Sequence, residues 1–147
     1  EAGLYGRFYH NHDKITDVNF GWTDEEGNRT DSLQHSEKAC LEFSFSLLVE
    51  PKQLIVGVPI WHRDGQVMTG ITTDITRPRI TIRKDRIVKG RLEIDPLVLN
   101  PGEYVYSLNV RDGKELYHRK PNRSFHVKSI PIFYGYMTPR HQWIFYG

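Results

Sequence analysis

The apolar residues of this chain recur at every second position in short runs, and turn-forming residues separate these runs at intervals of roughly 8–12 residues. The clearest run is 39–49, where four apolar residues fall on one face of a predicted strand: Leu41, Phe43, Phe45 and Leu47. Alternation of this kind is typical of a strand with one face buried, and no long segment shows helical spacing. The pattern therefore predicts an all-β chain.

Further strands follow from the same periodicity and from strand-forming residues at 14–22, 54–62, 80–82, 87–94, 105–111, 124–130 and 134–146. A hairpin turn, Arg63-Asp64-Gly65-Gln66, ends the strand 54–62. Of the two faces of that strand, the one better suited to point toward the core consists of Val56, Val58 and Ile60. Pro59 cannot donate a ladder hydrogen bond, so we expect either a sheet edge or a bulge there.

The segment Leu99-Asn100-Pro101-Gly102-Glu103-Tyr104 resembles a tyrosine corner, in which a buried tyrosine hydroxyl bonds to backbone a few residues upstream. Such a corner is typical of an immunoglobulin-like antiparallel β-sandwich. Alternation from Tyr104 onward points Tyr104, Tyr106, Leu108 and Val110 inward and positions 105, 107, 109 and 111 outward. We expect one such domain to cover residues 1–147.

Composition narrows the setting of this domain. A chain of 147 residues can bury a core without disulfides or metal. Cys40 is its single cysteine, which excludes an intrachain disulfide and a zinc-thiolate cluster and fits a reducing, cytoplasmic compartment. No apolar run approaches the ~20 residues of a membrane helix, and the first residue is Glu1, with neither a methionine nor a signal peptide. We expect an excised domain of a longer protein.

Charge is distributed unevenly along the chain. Residues 1–50 contain four Lys or Arg against ten Asp or Glu, whereas the whole chain has a formal net charge of +2. The remainder is therefore strongly basic, chiefly within 77–91 and 111–128. A surplus of this kind indicates an anionic partner.

A series of short motifs occurs in order along the chain: Tyr5-Gly6, Ile15-Thr16-Asp17-Val18, Ile60-Trp61-His62-Arg63-Asp64-Gly65 with Val67 after it, Gly90 before Leu92-Glu93-Ile94, Leu99 to Tyr104, Phe125-His126-Val127, Gly135 and Trp143. Together these motifs resemble the C-terminal carbohydrate-binding domain of the ATPase subunit of O-antigen polysaccharide ABC transporters, the Wzt C-terminal family. The resemblance covers nearly the whole chain. It departs from the family at Gly70-Ile71-Thr72-Thr73, where many members have an Asn-Thr pair, and at 117–123, which replaces an acidic stretch.

The resemblance implies a non-catalytic module without a cofactor, attached to an ATPase domain and peripheral to the bacterial inner membrane on its cytoplasmic side. Such a module recognises the non-reducing terminus of a lipid-linked O-antigen polysaccharide and thereby licenses export through the transporter's membrane subunit. Domains of this family pair as dimers and hold the glycan on the outer face of one sheet. The apolar segment 142–146 is a candidate to complete the sheet of a second copy.

Sugar recognition needs aromatic rings against the C–H side of the sugar and planar polar groups against its hydroxyls. The outward faces of the predicted strands and the basic segment 114–123 provide both types. Taken singly, an outward Asn or Ser is most often only solvated, and Trp61 fits the core equally well. The predicted carbohydrate-binding residues are Trp61, Arg63, Ser107, Asn109, Arg111, Tyr117, Arg119, His126 and Lys128.

Two basic segments have different explanations. We expect 114–123 to form a loop at the mouth of the sugar-binding face, where guanidinium groups would pair with an anionic terminal group on the glycan. The alternative is a solvated, mobile loop. For 77–91, charge on an edge strand that discourages sheet-to-sheet aggregation is a sufficient explanation, and contact with acidic lipid headgroups is the functional alternative.

Other chemistries have little support. His10 and His12 share one face of a strand, but a metal site needs a third ligand, so we predict no metal. No GxSxG motif, phosphate loop or carboxylate pair indicates an enzyme. The remaining alternatives are a carbohydrate-binding module of a secreted glycosidase and an immunoglobulin-like protein-interaction domain. Nucleic-acid binding is disfavoured, because the basic residues are not interleaved with aromatics in a known motif.

Overall fold

The computed structural model of the chain describes residues 4–128 and 134–146. Eleven strands and one short helix lie within these ranges: β1 (Tyr9–His10), β2 (Ile15–Thr23), β3 (Ser32–Gln34), β4 (Ala39–Leu47), β5 (Leu54–His62), β6 (Val67–Thr72), α1 (Thr73–Thr76), β7 (Ile87–Ile94), β8 (Gly102–Tyr106), β9 (Asn109–Asp112), β10 (Glu115–Arg119) and β11 (Arg123–Lys128). The predicted bounds of the strands 54–62 and 87–94 agree with β5 and β7.

The strands form two sheets. The larger has the order β1-β10-β9-β5-β8-β11-β3, with β6 paired to β5 as well, and the smaller has the order β2-β4-β7. All strand pairs are antiparallel except β11 with β3. These antiparallel sheets confirm the prediction of an all-β, immunoglobulin-like sandwich.

The core lies between the two sheets and is rich in aromatic rings. Phe125 of β11 is central: its ring centroid is 5.1 Å from that of Trp22 on β2, 5.4 Å from that of Tyr104 and 5.5 Å from that of Tyr106. Val56, Val58 and Ile60 belong to the same buried cluster, as alternation predicted. Both sheets therefore contribute their apolar faces to one core.

Tyr104 forms the predicted tyrosine corner. Its buried hydroxyl donates a hydrogen bond of 2.6 Å to the backbone carbonyl of Asn100, and burial raises the pKa of Tyr104 to about 12. The Asn100 side chain in turn donates to the carbonyls of Tyr134 and Gly135 and accepts from the Thr138 hydroxyl. The corner thus ties the start of β8 to residues 134–138.

The long strand predicted from Tyr104 to Arg111 is broken into β8 and β9. Both halves pair with β5, and the break at Ser107 lies opposite Pro59, whose carbonyl accepts the Ser107 N–H at 3.3 Å. Pro59 therefore lies at an interruption of the ladder and not at a sheet edge, which favours the bulge alternative. The Ser107 hydroxyl donates to the Asn109 side chain at 2.8 Å and accepts the Lys120 N–H at 2.9 Å.

Two segments differ from the predicted strands. Residues 80–82 form no strand; they belong to the connection from α1 to β7. Residues 134–146 form a single bridge, Leu99 with Met137, and are otherwise irregular. The end of the predicted strand 124–130 lies at 129–130, outside the described residues. Strand-forming composition alone was insufficient in both segments, because a strand also needs a partner edge.

His118 joins β10 to β1. Its Nδ1 lies 2.9 Å from Nδ1 of His10, and its side chain is buried. Burial, reinforced by the nearby His10 and Lys120, lowers the pKa of His118 to about 4. Between the ordinary pKa of 6.5 and about pH 4, the folded chain therefore keeps this imidazole neutral, whereas an unfolded chain would protonate it.

Removal of the Tyr104 hydroxyl tests the contribution of the tyrosine corner to stability. We expect Tyr104→Phe to lower the free energy of unfolding by about 1–2 kcal/mol, because it deletes a buried hydrogen bond and leaves the Asn100 carbonyl without its donor. Urea denaturation measures the change. Tyr9→Phe, at an exposed tyrosine, is the matched control and should change stability by less than about 0.5 kcal/mol. Equal effects of the two substitutions would contradict the role given to the corner.

The buried His118 predicts a pH-dependent stability. Its folded pKa lies below the ordinary value of 6.5, so below that pH the unfolded chain binds a proton that the folded chain excludes until about pH 4. The free energy of unfolding should fall as pH is lowered from 6.5 to 4. Urea denaturation across this range should show a shallower fall for His118→Gln than for the wild type. The exposed His141→Gln should keep the wild-type slope; an unchanged slope in His118→Gln would count against the prediction.

Candidate functional site

An exposed row of polar side chains crosses the outer face of the larger sheet. The Arg63 N–H, just beyond β5, donates to the Glu103 carbonyl at 2.9 Å, and Glu103 pairs with His126 across β8 and β11. Arg63, Glu103 and Lys128 are exposed and His126 is half-buried. These four residues, called the polar row below, alternate with inward Tyr104, Phe125 and Val127. Among the predicted site residues, the structure brings Arg63, His126 and Lys128 to this one region.

Trp61 lies on the outer face, but other residues cover it. The Tyr5 ring meets the Trp61 ring edge-on at 5.9 Å, and the Arg119 guanidinium lies 5.9 Å from the Trp61 ring centroid. Arg119 also donates to the Tyr5 carbonyl at 3.1 Å, and the Tyr5 hydroxyl donates to the Arg63 carbonyl at 2.5 Å. Trp61 is consequently only 6% exposed. The expectation that Trp61 and Arg119 offer free surfaces to a sugar is wrong.

The Tyr5-Gly6 motif explains how the N-terminal segment reaches this position. Gly6 has φ +90°, and a Cβ atom there would collide with the Arg119 guanidinium. Only glycine allows both this backbone conformation and this close approach. Gly6 therefore allows Tyr5 to cover Trp61 and to reach the Arg63 carbonyl at the polar row.

Two predicted residues are buried and unavailable. Ser107 is fully buried because it bridges the breaks between β8 and β9 and between β10 and β11. Tyr117 lies in the core, where its hydroxyl is 3.3 Å from the Asp112 carboxylate and burial raises the pKa of Tyr117 to about 12. The outward orientation predicted for Ser107 is wrong, and Tyr117 lies in the core and not in a loop at the mouth of the sheet face.

The basic segment 114–123 is not a loop. It contains the whole of β10 and continues into β11. Arg123 stacks on the Phe20 ring at 4.7 Å and donates to the Phe20 carbonyl at 2.7 Å, which fastens β11 to β2. The basic mouth proposed for the sugar-binding face is therefore absent, because Arg119 and Arg123 are both engaged with the protein.

Asn109 and Arg111 lie apart from the polar row. They pair with Gly57 and Ile55 of β5, so at ~3.3 Å per residue Asn109 is about 20 Å and Arg111 about 26 Å from Arg63 along the strand. Arg111 is half-buried, and its guanidinium is 3.7 Å from the Asp74 carboxylate of α1. A single glycan terminus would not contact both groups.

A cluster that sequence analysis missed lies at the end of β5. The Tyr136 hydroxyl donates to the Asp64 carboxylate at 2.7 Å, and His62 Nδ1 lies 3.2 Å from the same carboxylate. Hydrogen bonds from the Gln66 N–H and the Tyr136 hydroxyl lower the pKa of Asp64. The turn motif HRDG signalled His62 and Asp64, but nothing local placed Tyr136 beside them. This cluster adds a carboxylate and an exposed phenol ring next to Arg63.

Metal and membrane sites were also considered. His10 contacts His12 and His118, but across residues 4–128 and 134–146 no three His, Cys, Asp or Glu side chains form a group that could hold a metal ion. Within the same ranges, no helix has the length and apolar character needed to cross a membrane.

Several solved structures align with this chain to different degrees. A crystal structure of the C-terminal domain of Wzt aligns with a TM-score of 0.83 at 15% identity, covering 95% of this chain and 88% of that one. An alkylpurine DNA glycosylase of Pseudomonas fluorescens aligns with a TM-score of 0.47 at 16% identity, covering 79% and 30%. An immunoglobulin-like protein of Pseudomonas aeruginosa aligns with a TM-score of 0.39 at 12% identity, covering 86% and 100%. No curated protein matches the chain.

The sequence itself matches the model of the Wzt C-terminal domain over residues 9–138. That span includes the hairpin after β5, the tyrosine corner and β11, which are among the motifs that carried the resemblance; Tyr5-Gly6 and Trp143 lie outside it. The match confirms the family and agrees with the shared fold. This chain belongs to the Wzt C-terminal domain family, a family of non-catalytic binding domains of O-antigen ABC transporters.

Proposed function

We propose that this domain recognises the non-reducing terminus of a lipid-linked O-antigen polysaccharide and that recognition couples chain completion to export. The polar row is the observation that carries the proposal. Arg63, Glu103, His126 and Lys128 lie together on an exposed sheet face of a domain whose family serves O-antigen transporters. A sheet face of this kind offers a rigid, open surface to the end of a long chain.

The chemistry of this surface suits a sugar. A guanidinium, a carboxylate, an imidazole and an ammonium group provide several donors and acceptors for ring hydroxyls. Tyr5 on one side and Tyr136 on the other add aromatic rings beside Arg63. We therefore assign glycan contact to the polar row together with Tyr5, Asp64 and Tyr136, in place of the buried Ser107 and Tyr117.

An anionic terminal group on the glycan is part of the proposal. Arg63 and Lys128 are exposed cations for which no ion pair exists in the described part of the chain, so a phosphate or an acidic sugar would find charge partners there. Glu103 and Asp64 then serve neutral hydroxyls of the adjoining residues.

The remaining partners follow from the family. We propose that an ATPase domain of the same subunit and the transporter's membrane subunit are its partners at the cytoplasmic side of the inner membrane. The domain itself carries out no reaction in this scheme; it reports that a chain end is bound.

We also propose that two copies of the domain pair through residues 139–146. Trp143, Ile144, Phe145 and Tyr146 are 63–93% exposed, and within the described residues no backbone–backbone hydrogen bond involves this segment. An exposed segment with an apolar end and free backbone groups is a ready partner for a sheet edge of a second copy. Thr138, by contrast, is held by Val98 and Asn100.

Substitution of Arg63 tests the glycan site. We expect Arg63→Ala to weaken binding of the cognate O-polysaccharide about tenfold, because it removes a charge-assisted hydrogen bond worth about 1.5 kcal/mol. Isothermal titration calorimetry measures the affinity. Polysaccharide from which the non-reducing terminal residue has been removed should bind the wild type and the variant equally weakly.

The control is Lys114→Ala, which deletes an exposed cation in the β9–β10 turn and should leave affinity unchanged. Wild-type binding should also weaken as NaCl is raised, since salt screens an exposed ionic contact. Binding that does not depend on salt would contradict the anionic terminal group but not the glycan site itself. Full affinity of Arg63→Ala, or tight binding of the trimmed chain, would contradict the proposed site.

Truncation tests the dimer. By light scattering we expect a chain that ends at Thr138 to be a monomer. We expect the full chain, whose single copy has a mass of 17.2 kDa, to have the mass of a dimer. Trp143→Ser with Phe145→Ser should shift the equilibrium the same way. Tyr134→Ser, at an exposed aromatic outside the segment, should leave the dimer intact. A dimer that survives truncation would show that another surface joins the copies.

A further inference from the structure

A cleft of about 360 Å³ opens between the two sheets on the side away from β2. It lies between β7, an edge strand of the smaller sheet, and β5 and β6 of the larger sheet, and the connection from α1 to β7 covers it. Its volume is within the range of small-molecule sites. Its apolar walls are formed by Phe43, Val56, Val58, Ile71, Val88 and Leu92. Four threonines also line it, on the side of α1 and of the connection that follows: Thr72, Thr73, Thr76 and Thr81.

The apolar walls are incompletely closed. Phe43, Ile71 and Leu92 are only half-buried, although they point toward the space between the sheets. Phe43 pairs with Gly90 across β4 and β7, and a Cβ atom at Gly90 would collide with the Phe43 ring. The absence of a side chain at Gly90 therefore lets this ring lie over the β7 backbone at the cleft. Water would contact these side chains unless an apolar group filled the cleft.

Two cations at the rim lack protein partners. In the basic segment 77–91, Arg83 pairs with Asp85, Arg91 pairs with Glu93, and Arg86 donates to the Leu48 carbonyl. Arg79 and Lys89 are among the residues at the rim of the cleft, and their side chains form no ion pair or hydrogen bond within the described residues. Lys89 alternates with the inward Val88 and Gly90, so its side chain starts from the outer face of β7, the edge strand. Protection of an edge strand explains Lys89 on β7. It does not explain Arg79, which lies in the connection.

We propose that this cleft binds an anionic amphiphile. A single aliphatic chain would lie between Phe43, Ile71 and Leu92, and a phosphate or carboxylate headgroup would pair with Arg79 and Lys89. The site shares no residue with the polar row, so it does not depend on the proposed glycan recognition.

Dodecyl phosphate, kept below its critical micelle concentration, is the probe. We expect its titration into the ¹⁵N-labelled domain to shift the backbone amide resonances of Phe43, Ile71 and Gly90. Ile71→Trp should weaken binding at least tenfold by filling the cleft. Because Ile71 is half-buried on β6, the larger ring can be accommodated at the edge without disturbing the core.

The headgroup is tested separately. Arg79→Ala with Lys89→Ala should weaken dodecyl phosphate about tenfold and leave the weaker binding of neutral dodecanol unchanged, whereas the distant Lys114→Ala should alter neither. Vesicles of anionic phospholipid distinguish binding to a membrane surface from binding of a free amphiphile. The proposal would be overturned if the domain bound vesicles but not dodecyl phosphate, and if Ile71→Trp left the vesicle binding unchanged. Resonance shifts confined to residues 83–86 would also overturn it, since the basic turn alone would then attract the anion.

Discussion

The hydrogen bond between the Tyr104 hydroxyl and the Asn100 carbonyl is the interaction on which the arrangement of this domain depends. A phenol buried in the core fixes which residues of β8 point inward, and alternation then places Glu103 on the outer face beside Arg63 and His126. The same corner orients the Asn100 side chain toward residues 134–138, which brings Tyr136 to Asp64. One buried contact thus positions both the polar row and its neighbouring cluster.

Periodicity predicted those parts of the fold that a single strand determines by itself. Phe45 and Leu47 of β4, and Val58 and Ile60 of β5, face the core because apolar alternation has one stable orientation on a half-buried sheet. The burial of Ser107 could not be predicted in this way, because the sequence alternation continues unchanged through the break between β8 and β9. The Ser107 hydroxyl is buried only because it bonds to Asn109 and to the Lys120 N–H at this break.

Local sequence patterns also cannot predict that a segment distant in sequence covers a side chain. For Trp61 the pattern left the outer face and the core as equal alternatives. The side chain lies on the outer face and is nevertheless buried, because Tyr5, 56 positions away, and Arg119 cover it. Only the Tyr5-Gly6 motif hinted at a constraint there. The candidate site was therefore predicted in part, through Arg63, His126 and Lys128, and missed where tertiary packing of Tyr5 and Tyr136 supplies the aromatic surface.

Charge counts along a sequence cannot separate cations that hold a fold together from cations that are free to bind a partner. In 111–128, Arg111 pairs with Asp74, Arg119 covers Trp61 and Arg123 fastens β11 to Phe20, so the densest arginines are engaged within the protein. Guanidinium groups suit this role because they stack on rings and bond carbonyls at once. In 77–91 the pairing is less complete, since Arg79 and Lys89 have no ion pair within the described residues and lie at the rim of a cleft. Geometry, and not the count of charges, therefore selects the cations of the two proposed sites, which are Arg63 and Lys128 in the polar row and Arg79 and Lys89 at the cleft.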